Sequence, residues 1–280
     1  MYRTLIHSAC LADAQAERIL AAIPGRLEPR DTHWLLRHDR PAERDAIEAL
    51  RTSLRLDINP LPPGFDGAAV GLLVTDMDST LIAIECIDEI ADRAGQRRAV
   101  AAITEAAMNG ELDFAQALQR RVALLEGLPV SVLEAVYDEK VALNPGAEAL
   151  VAACRRRGVR IALVSGGFDF FVDRLKDELG LDFALANRLE ARDGRLTGRI
   201  EGPICGGVEK AGFLLSLCGR LGLVPETCIG LGDGANDAKL LGVAGLGVGY
   251  RPKPVLRAIA DAVIEYADLA AVADFLEDTR

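Results

Sequence analysis

The stretch Val74-Thr75-Asp76-Met77-Asp78-Ser79-Thr80 sets two carboxylates one residue apart at the end of an apolar run, residues 69–74. A run of this length reads as a strand buried on both faces. Alternate residues of extended backbone point the same way. Asp76, Asp78 and Thr80 therefore aim at one point if the strand geometry continues past its end. Acids at the end of a buried strand are costly unless something uses them. An Asp-rich turn capping the next helix would use the same residues, and this stretch alone does not separate the two readings.

Two later stretches break the tie. Ser165-Gly166-Gly167 follows the expected strand 159–164, and Gly232-Asp233-Gly234-Ala235-Asn236-Asp237 follows the expected strand 228–231. Glycine beside serine lets backbone N–H groups approach an anion closely. Asp233 and Asp237, four apart where a helix would begin, share a face. Lys210, at the start of the helix leading to the third strand, can reach the same mouth. Four carboxylates meeting there would raise one another's pKa unless cations intervene. An all-oxygen set without His or Cys suits Mg²⁺ shared with a phosphate. Phosphoryl transfer needs a nucleophile, a proton donor and charge neutralisation. Asp76 can supply the first, Asp78 the second, and Lys210 with Mg²⁺ the third.

The elements that must position these residues read as α/β. Residues 1–59 form a small amino-terminal α/β unit, with strands near 2–7, 34–36 and 56–58 and helices at 11–23 and 41–54, Pro41 lying in the first turn of the second. A Pro- and Gly-rich linker covers 60–68. The core comprises 69–84 and 143–280, a Rossmann-like parallel sheet of repeated strand–helix units. Four helical stretches within 85–142, with no strand among them, read as a helical cap inserted after the first core strand. Asp113 with Gln116, and Ser131 with Glu134, look like capping boxes for two of them. Asp193-Gly194 between alternating segments signals a hairpin in 188–202. In such sheets ligands bind at the carboxyl ends of the strands, where the three polar stretches lie.

Composition narrows the function class. The chain has 280 residues, half of them hydrophobic, and a formal net charge of −10. That balance disfavours nucleic acid, which needs a basic face. The six cysteines form no C-x-x-C pair and read as free thiols of a reducing compartment. No segment resembles a signal peptide, and no apolar run reaches the ~20 residues of a membrane span. The expectation is a soluble cytoplasmic protein acting on a small molecule, with its oligomeric state unspecified. The three histidines, His7, His33 and His38, all precede the linker and read as ordinary surface or core residues.

Asp-Met-Asp-Ser-Thr, Ser-Gly-Gly-Phe-Asp, a lone lysine and Gly-Asp-Gly-Ala-Asn-Asp, in that order, resemble the haloacid dehalogenase superfamily, and within it the phosphoserine phosphatase branch, over roughly residues 69–270. The resemblance implies that Asp76 is the nucleophile that becomes an aspartyl phosphate. It makes Asp78 the general acid/base and a Mg²⁺ ligand through its carbonyl, and Asp233 a further ligand. Ser165 and Gly166 match the phosphate-binding loop, Lys210 the charge-neutralising lysine, and Asn236 and Asp237 residues that support substrate and metal. In the cap, Glu85 falls where the family meets the substrate amino group and Arg121 where it clamps the carboxylate. Met108 and Phe114 match apolar residues that shield the pocket. Without the resemblance, Glu85 and Arg121 would read as solvated helix charges. The implied reaction is Mg²⁺-dependent hydrolysis of O-phospho-L-serine. Transfer of the phosphoryl group to homoserine or another small alcohol would use the same site. Ile204-Cys205-Gly206-Gly207-Val208-Glu209-Lys210 is richer in glycine than the family pattern. The amino-terminal unit fits loosely the regulatory-type unit of longer members.

Two other patterns match by chance. Cys154 with Arg160 fits C-x₅-R but lacks a preceding His and spans a helix end. Gly230-Leu231-Gly232-Asp233-Gly234-Ala235 fits a loose dinucleotide fingerprint, yet Asp233 would face a pyrophosphate with like charge. A third reading, an inert core regulated by the amino-terminal unit, predicts the loss of Asp76, Asp78, Lys210 or Asp233, and all four are present.

Overall fold

A computed structural model describes residues 1–108 and 111–279, Met108 by its backbone alone. The first unit is an antiparallel sheet in the order β2-β3-β1-β4. Its strands are β1 (Tyr2–His7), β2 (Gly25–Pro29), β3 (Trp34–His38) and β4 (Asp57–Pro60), with helices α1 (Asp13–Ala22) and α2 (Arg44–Leu54). β2 escapes the sequence reading because it is an outer strand with only Leu27 contributing to the apolar cluster. Its pairing with β3, from Gly25 opposite His38 to Pro29 opposite Trp34, holds it extended. Pro41 lies outside α2, contrary to expectation, because backbone through Glu43 (φ −68°, ψ 132°) stays extended.

The larger sheet has the order β11-β10-β9-β5-β6-β7-β8. Its pairings are parallel except the β7–β8 hairpin. β5 (Leu72–Thr75) is wholly buried. Leu73 joins one apolar cluster while Leu72 and Val74 join another with Leu214 and Leu217, so helices cover both faces as the unbroken apolar run requires. After β5 come α3 (Cys86–Arg93), α4 (Arg97–Met108), α5 (Phe114–Ala123) and α6 (Ser131–Lys140). Asp113 and Gln116 do form the capping box of α5. Ser131 does not cap α6. Val130 at the cap position already has helical angles (φ −57°, ψ −27°), which leaves Ser131 as the first helical residue.

The remaining elements alternate: α7 (Ala147–Arg156), β6 (Arg160–Phe168), α8 (Asp169–Leu179), β7 (Phe183–Arg192), β8 (Arg195–Glu201), α9 (Gly207–Leu221), β9 (Cys228–Gly232), α10 (Ala238–Val243), β10 (Leu246–Tyr250), α11 (Pro254–Arg257) and β11 (Ala262–Ile264). Asp193 (φ 48°) and Gly194 (φ 75°) make the left-handed turn expected of the hairpin. α9 starts three residues before Lys210, so the lysine sits inside the helix rather than at its start. Gly206 N–H is capped by Glu209 Oε2 at 2.9 Å, which permits the earlier start.

The small sheet is fixed to the edge of the large one. Asn59 on β4 exchanges two hydrogen bonds with the Val263 backbone of β11, at 2.8 and 3.0 Å. The Asp57 carboxylate accepts from the N–H groups of Glu265, Tyr266 and Ala267. Among the described residues no helix is long and apolar enough to cross a membrane.

Candidate active site

The turns after β5 and β9 and the stretch Ser165-Gly166-Gly167, which lies inside the last part of β6 rather than beyond its end as expected, meet one turn of α9. Strand geometry does not continue past β5 as expected: residues Met77–Leu81 form a tight turn in which Ser79 adopts φ 57°. A left-handed serine is uncommon, and such backbone gathers at functional sites. The turn still brings the polar side chains together. Asp76 is 3% exposed, and its Oδ1 accepts from Met77 N–H at 2.7 Å and lies 2.8 Å from Lys210 Nζ. Lys210 is fully buried and donates to Asp237 Oδ1 at 2.7 Å. Asp237 does not simply share a helical face with Asp233. Its Oδ2 turns back to accept from the N–H groups of Asp233 and Gly234, at 3.1 and 3.0 Å. Glycine is required opposite it, since a Cβ on Gly232 would lie 2.4 Å from Asp237 Cγ.

Carboxylate oxygens of Asp76, Asp233 and Asp237 lie within 4.8 Å of one another. Burial pushes the Asp76 carboxyl well above its ordinary range, with Asp237 adding repulsion against the pull of Lys210. Burial also raises Asp233, opposed by Lys253. Burial works against the charge on Lys210, but Asp237 and Asp76 outweigh it and hold its pKa above the ordinary value. Among the described residues, Lys210 and Lys253 pair with carboxylates whose neighbours include Asp78 and Glu85. That surplus of buried oxygen donors fits a hard divalent ion such as Mg²⁺.

Asp78 is half-buried. Its Oδ1 accepts from Cys86 N–H at 3.0 Å, and its Oδ2 faces Gly167, where a Cβ would come within 2.7 Å. Burial, with Glu85 nearby, pushes its pKa up to about 7. Ser165 is buried, and its Oγ accepts from Gly167 N–H at 2.8 Å. Glu85 Oε1 accepts from Ser79 Oγ at 2.8 Å. Arg121, half-buried on α5, has its pKa lowered by burial against the opposing pull of Asp88, Glu85 and Asp78. Phe114 packs against the phosphate-loop candidate, since a Cβ on Gly166 would come 2.7 Å from its Cζ. Asn236 is half-buried in the β9 loop, with its Oδ1 beside Gly234. The Met108 side chain lies outside the described residues. Cys154 is buried on α7, and burial pushes its thiol up to about 12, which disqualifies the C-x₅-R match as a thiolate nucleophile.

Sequence reading missed three polar residues here. Lys253 Nζ lies 3.0 Å from Asp233 Oδ2 and 3.8 Å from Glu85 Oε1. The signal was available, because Lys253 follows β10 and so stands at a fourth strand end. Asp88, on the turn after Glu85, is the acid that Arg121 feels most strongly. Asn187 on β7 donates to Gly166 C=O at 2.9 Å.

Residues 73–242 match the model of the haloacid dehalogenase-like hydrolases. The chain belongs to that family. A phosphoserine phosphatase of Polaromonas sp. is 51% identical over 207 residues, covering 72% of this chain and 88% of the relative. The crystal structure of a HAD family hydrolase from Salmonella enterica serovar Typhi superposes with TM-score 0.91 at 32% identity, over 100% of this chain and 99% of that one. A phospho-aspartyl intermediate analogue of phosphoserine phosphatase superposes with TM-score 0.70 at 40% identity, over 74% of this chain and 99% of that one. Family membership accounts for the order in which the three strand-end motifs appear.

Proposed function

We propose that this hydrolase acts on O-phospho-L-serine, releasing L-serine and phosphate through a phosphoryl group carried on Asp76, and that it requires Mg²⁺. The observation that carries the reading is the Asp76 carboxylate, buried at a strand end with Lys210 at 2.8 Å. Met77 N–H and Lys210 both hold Oδ1, so Oδ2 is the oxygen assigned to attack phosphorus. In the first step the Oδ2–P bond forms, the P–O bond to the substrate serine breaks, and Asp78 gives its proton to the departing oxygen. In the second, Asp78 takes a proton from water, the water oxygen bonds to phosphorus, and phosphate leaves Asp76. Lys210 and the Ser165 hydroxyl face the phosphoryl oxygens. Asp76, the Asp78 carbonyl and Asp233 would hold Mg²⁺, which would supply positive charge against those oxygens. Asp237 keeps Lys210 in place, and Asn236 supports the substrate.

The serine end meets Glu85 through its ammonium and Arg121 through its carboxylate, whose two oxygens suit the guanidinium fork. Phe114 over Gly166 shields the bound ester from water. The relatives' activity and the positions of Glu85 and Arg121 support this substrate over a simpler phosphate ester. Purified protein with phosphoserine and Mg²⁺ is expected to release phosphate, and EDTA to stop it. Absence of phosphate release from phosphoserine, with release from an unrelated phosphomonoester, overturns the substrate assignment. Adding homoserine is expected to leave phosphate as the product; phosphohomoserine appearing in its place would mark a transferase.

A further inference from the structure

We propose that Asn187 is the positioning residue of phosphate recognition, its side-chain amide setting the Ser165-Gly166-Gly167 loop against the start of the helix that carries Lys210. The proposal rests on the phosphatase reading of this site. Strands β6 and β7 pair at Val164 with Leu185 and again at Phe168 with Asn187. Between these pairs, Ser165, Gly166 and Gly167 stand opposite Ala186 alone. The phosphate loop is thus a bulge in β6, and a bulge takes backbone groups out of the ladder and leaves them in need of other partners.

Asn187 supplies them. It is 1% exposed, and its Nδ2 donates to Gly166 C=O at 2.9 Å and to Cys205 C=O at 3.4 Å. Its Oδ1 accepts from Cys205 N–H at 2.7 Å. Cys205 immediately precedes Gly206, the cap of α9, and Lys210 N–H donates to Gly206 C=O at 3.0 Å. One buried amide therefore spans the gap between the loop facing phosphate and the helix bearing its cation.

The hold extends to the Ser165 hydroxyl. The C=O and N–H of one planar peptide point in opposite directions. Fixing Gly166 C=O on Asn187 fixes Gly167 N–H, which donates to Ser165 Oγ at 2.8 Å. With a lone pair so occupied, the hydroxyl keeps its own proton to donate, and a phosphoryl oxygen, which only accepts, is a partner it suits. Asn187 touches neither Glu85 nor Arg121 among its hydrogen bonds, so it serves the phosphate end and not the amino-acid end.

Asn187→Asp and Asn187→Ala test this. Aspartate keeps the volume and the acceptor for Cys205 N–H but sets an oxygen against two carbonyls. Calorimetric titration of the Mg²⁺-loaded protein with inorganic phosphate, and separately with L-serine, is run beside phosphoserine turnover. Asn187→Asp is expected to weaken phosphate by about tenfold or more, to leave L-serine within about twofold, and to lower kcat by about tenfold or more. Asn187→Ala is expected to show the same split. Unchanged phosphate affinity, or equal losses for both ligands, overturns the proposal. Failure of both variants to fold does so too, since it would mark Asn187 as a residue of stability alone. A wild type that binds phosphate but spares phosphoserine sinks only the substrate reading; the variants' phosphate titrations still decide the role of Asn187.

Discussion

Two buried carboxylate sites in this molecule have opposite characters. At the strand ends, Asp76 is surrounded by Asp233 and Asp237, and burial with that repulsion pushes its pKa well up. Where the small sheet meets the carboxyl-terminal segment, Asp274 is also buried, yet its pKa is driven far below the ordinary range. Burial pushes Asp274 up as well, but hydrogen bonds from His33 and His7, attraction to His7 and a bond from Thr32 outweigh it. His7 Nδ1 lies 2.8 Å from Asp274 Oδ2, and Thr32 Oγ1 donates to Oδ1 at 2.5 Å. A buried acid given enough donors is a fastener. A buried acid set among other acids is short of positive charge, and that shortage suits an incoming cation.

The largest effect expected on this contrast comes from Asp76→Asn. It removes the proposed nucleophile, so kcat for phosphoserine is expected to fall by at least about 10³-fold. Because the folded site penalises ionised Asp76, the same change leaves Tm unchanged or raised. A thermal scan showing a large fall in Tm would break the contrast.

Asp274→Asn should do the reverse. Kinetics stay within about twofold, while stability drops by about 1–3 kcal/mol as buried donors lose their charged acceptor. The pH dependence carries a definite sign. Asp274 is depressed in the fold, so its contribution is complete above the unfolded carboxyl value of about 3.9 and is lost as pH falls through the lower folded value. Denaturation of wild type and Asp274→Asn should therefore differ fully at pH 5–6 and converge below about pH 4. A gap that widens on acidification would show that Asp274 is not held as an anion.

The smallest effect belongs to Lys253, which is 58% exposed and pairs with Asp233. Lys253→Met removes an ammonium that would compete with the proposed metal ion for that carboxylate. Mg²⁺ affinity without substrate should rise by no more than about fivefold, the range of a solvent-screened pair. A calorimetric titration showing weaker Mg²⁺ binding would place Lys253 among the supports of the metal rather than its rivals.

The histidines show where sequence reading stopped. His7, His33 and His38 look unremarkable in the chain, and all three are buried. His38 pairs with Thr4, but His7 finds its carboxylate 267 positions away. No local pattern encodes such a partner. Asn187 escaped for a similar reason, since its function depends on a bulge in the strand beside it.

What the chain determined alone was the set of strand-end motifs, the apolar runs beneath them and the helical insertion, because burial and backbone period act over a few residues at a time. Tertiary structure decided that β5, β6 and β9 are neighbours, that Lys253 reaches both Asp233 and Glu85, and that the Asn187 amide joins Gly166 to Cys205, just before α9. Those contacts follow from strand order and bulge position, which are set by packing the whole sheet and leave no periodic trace in sequence.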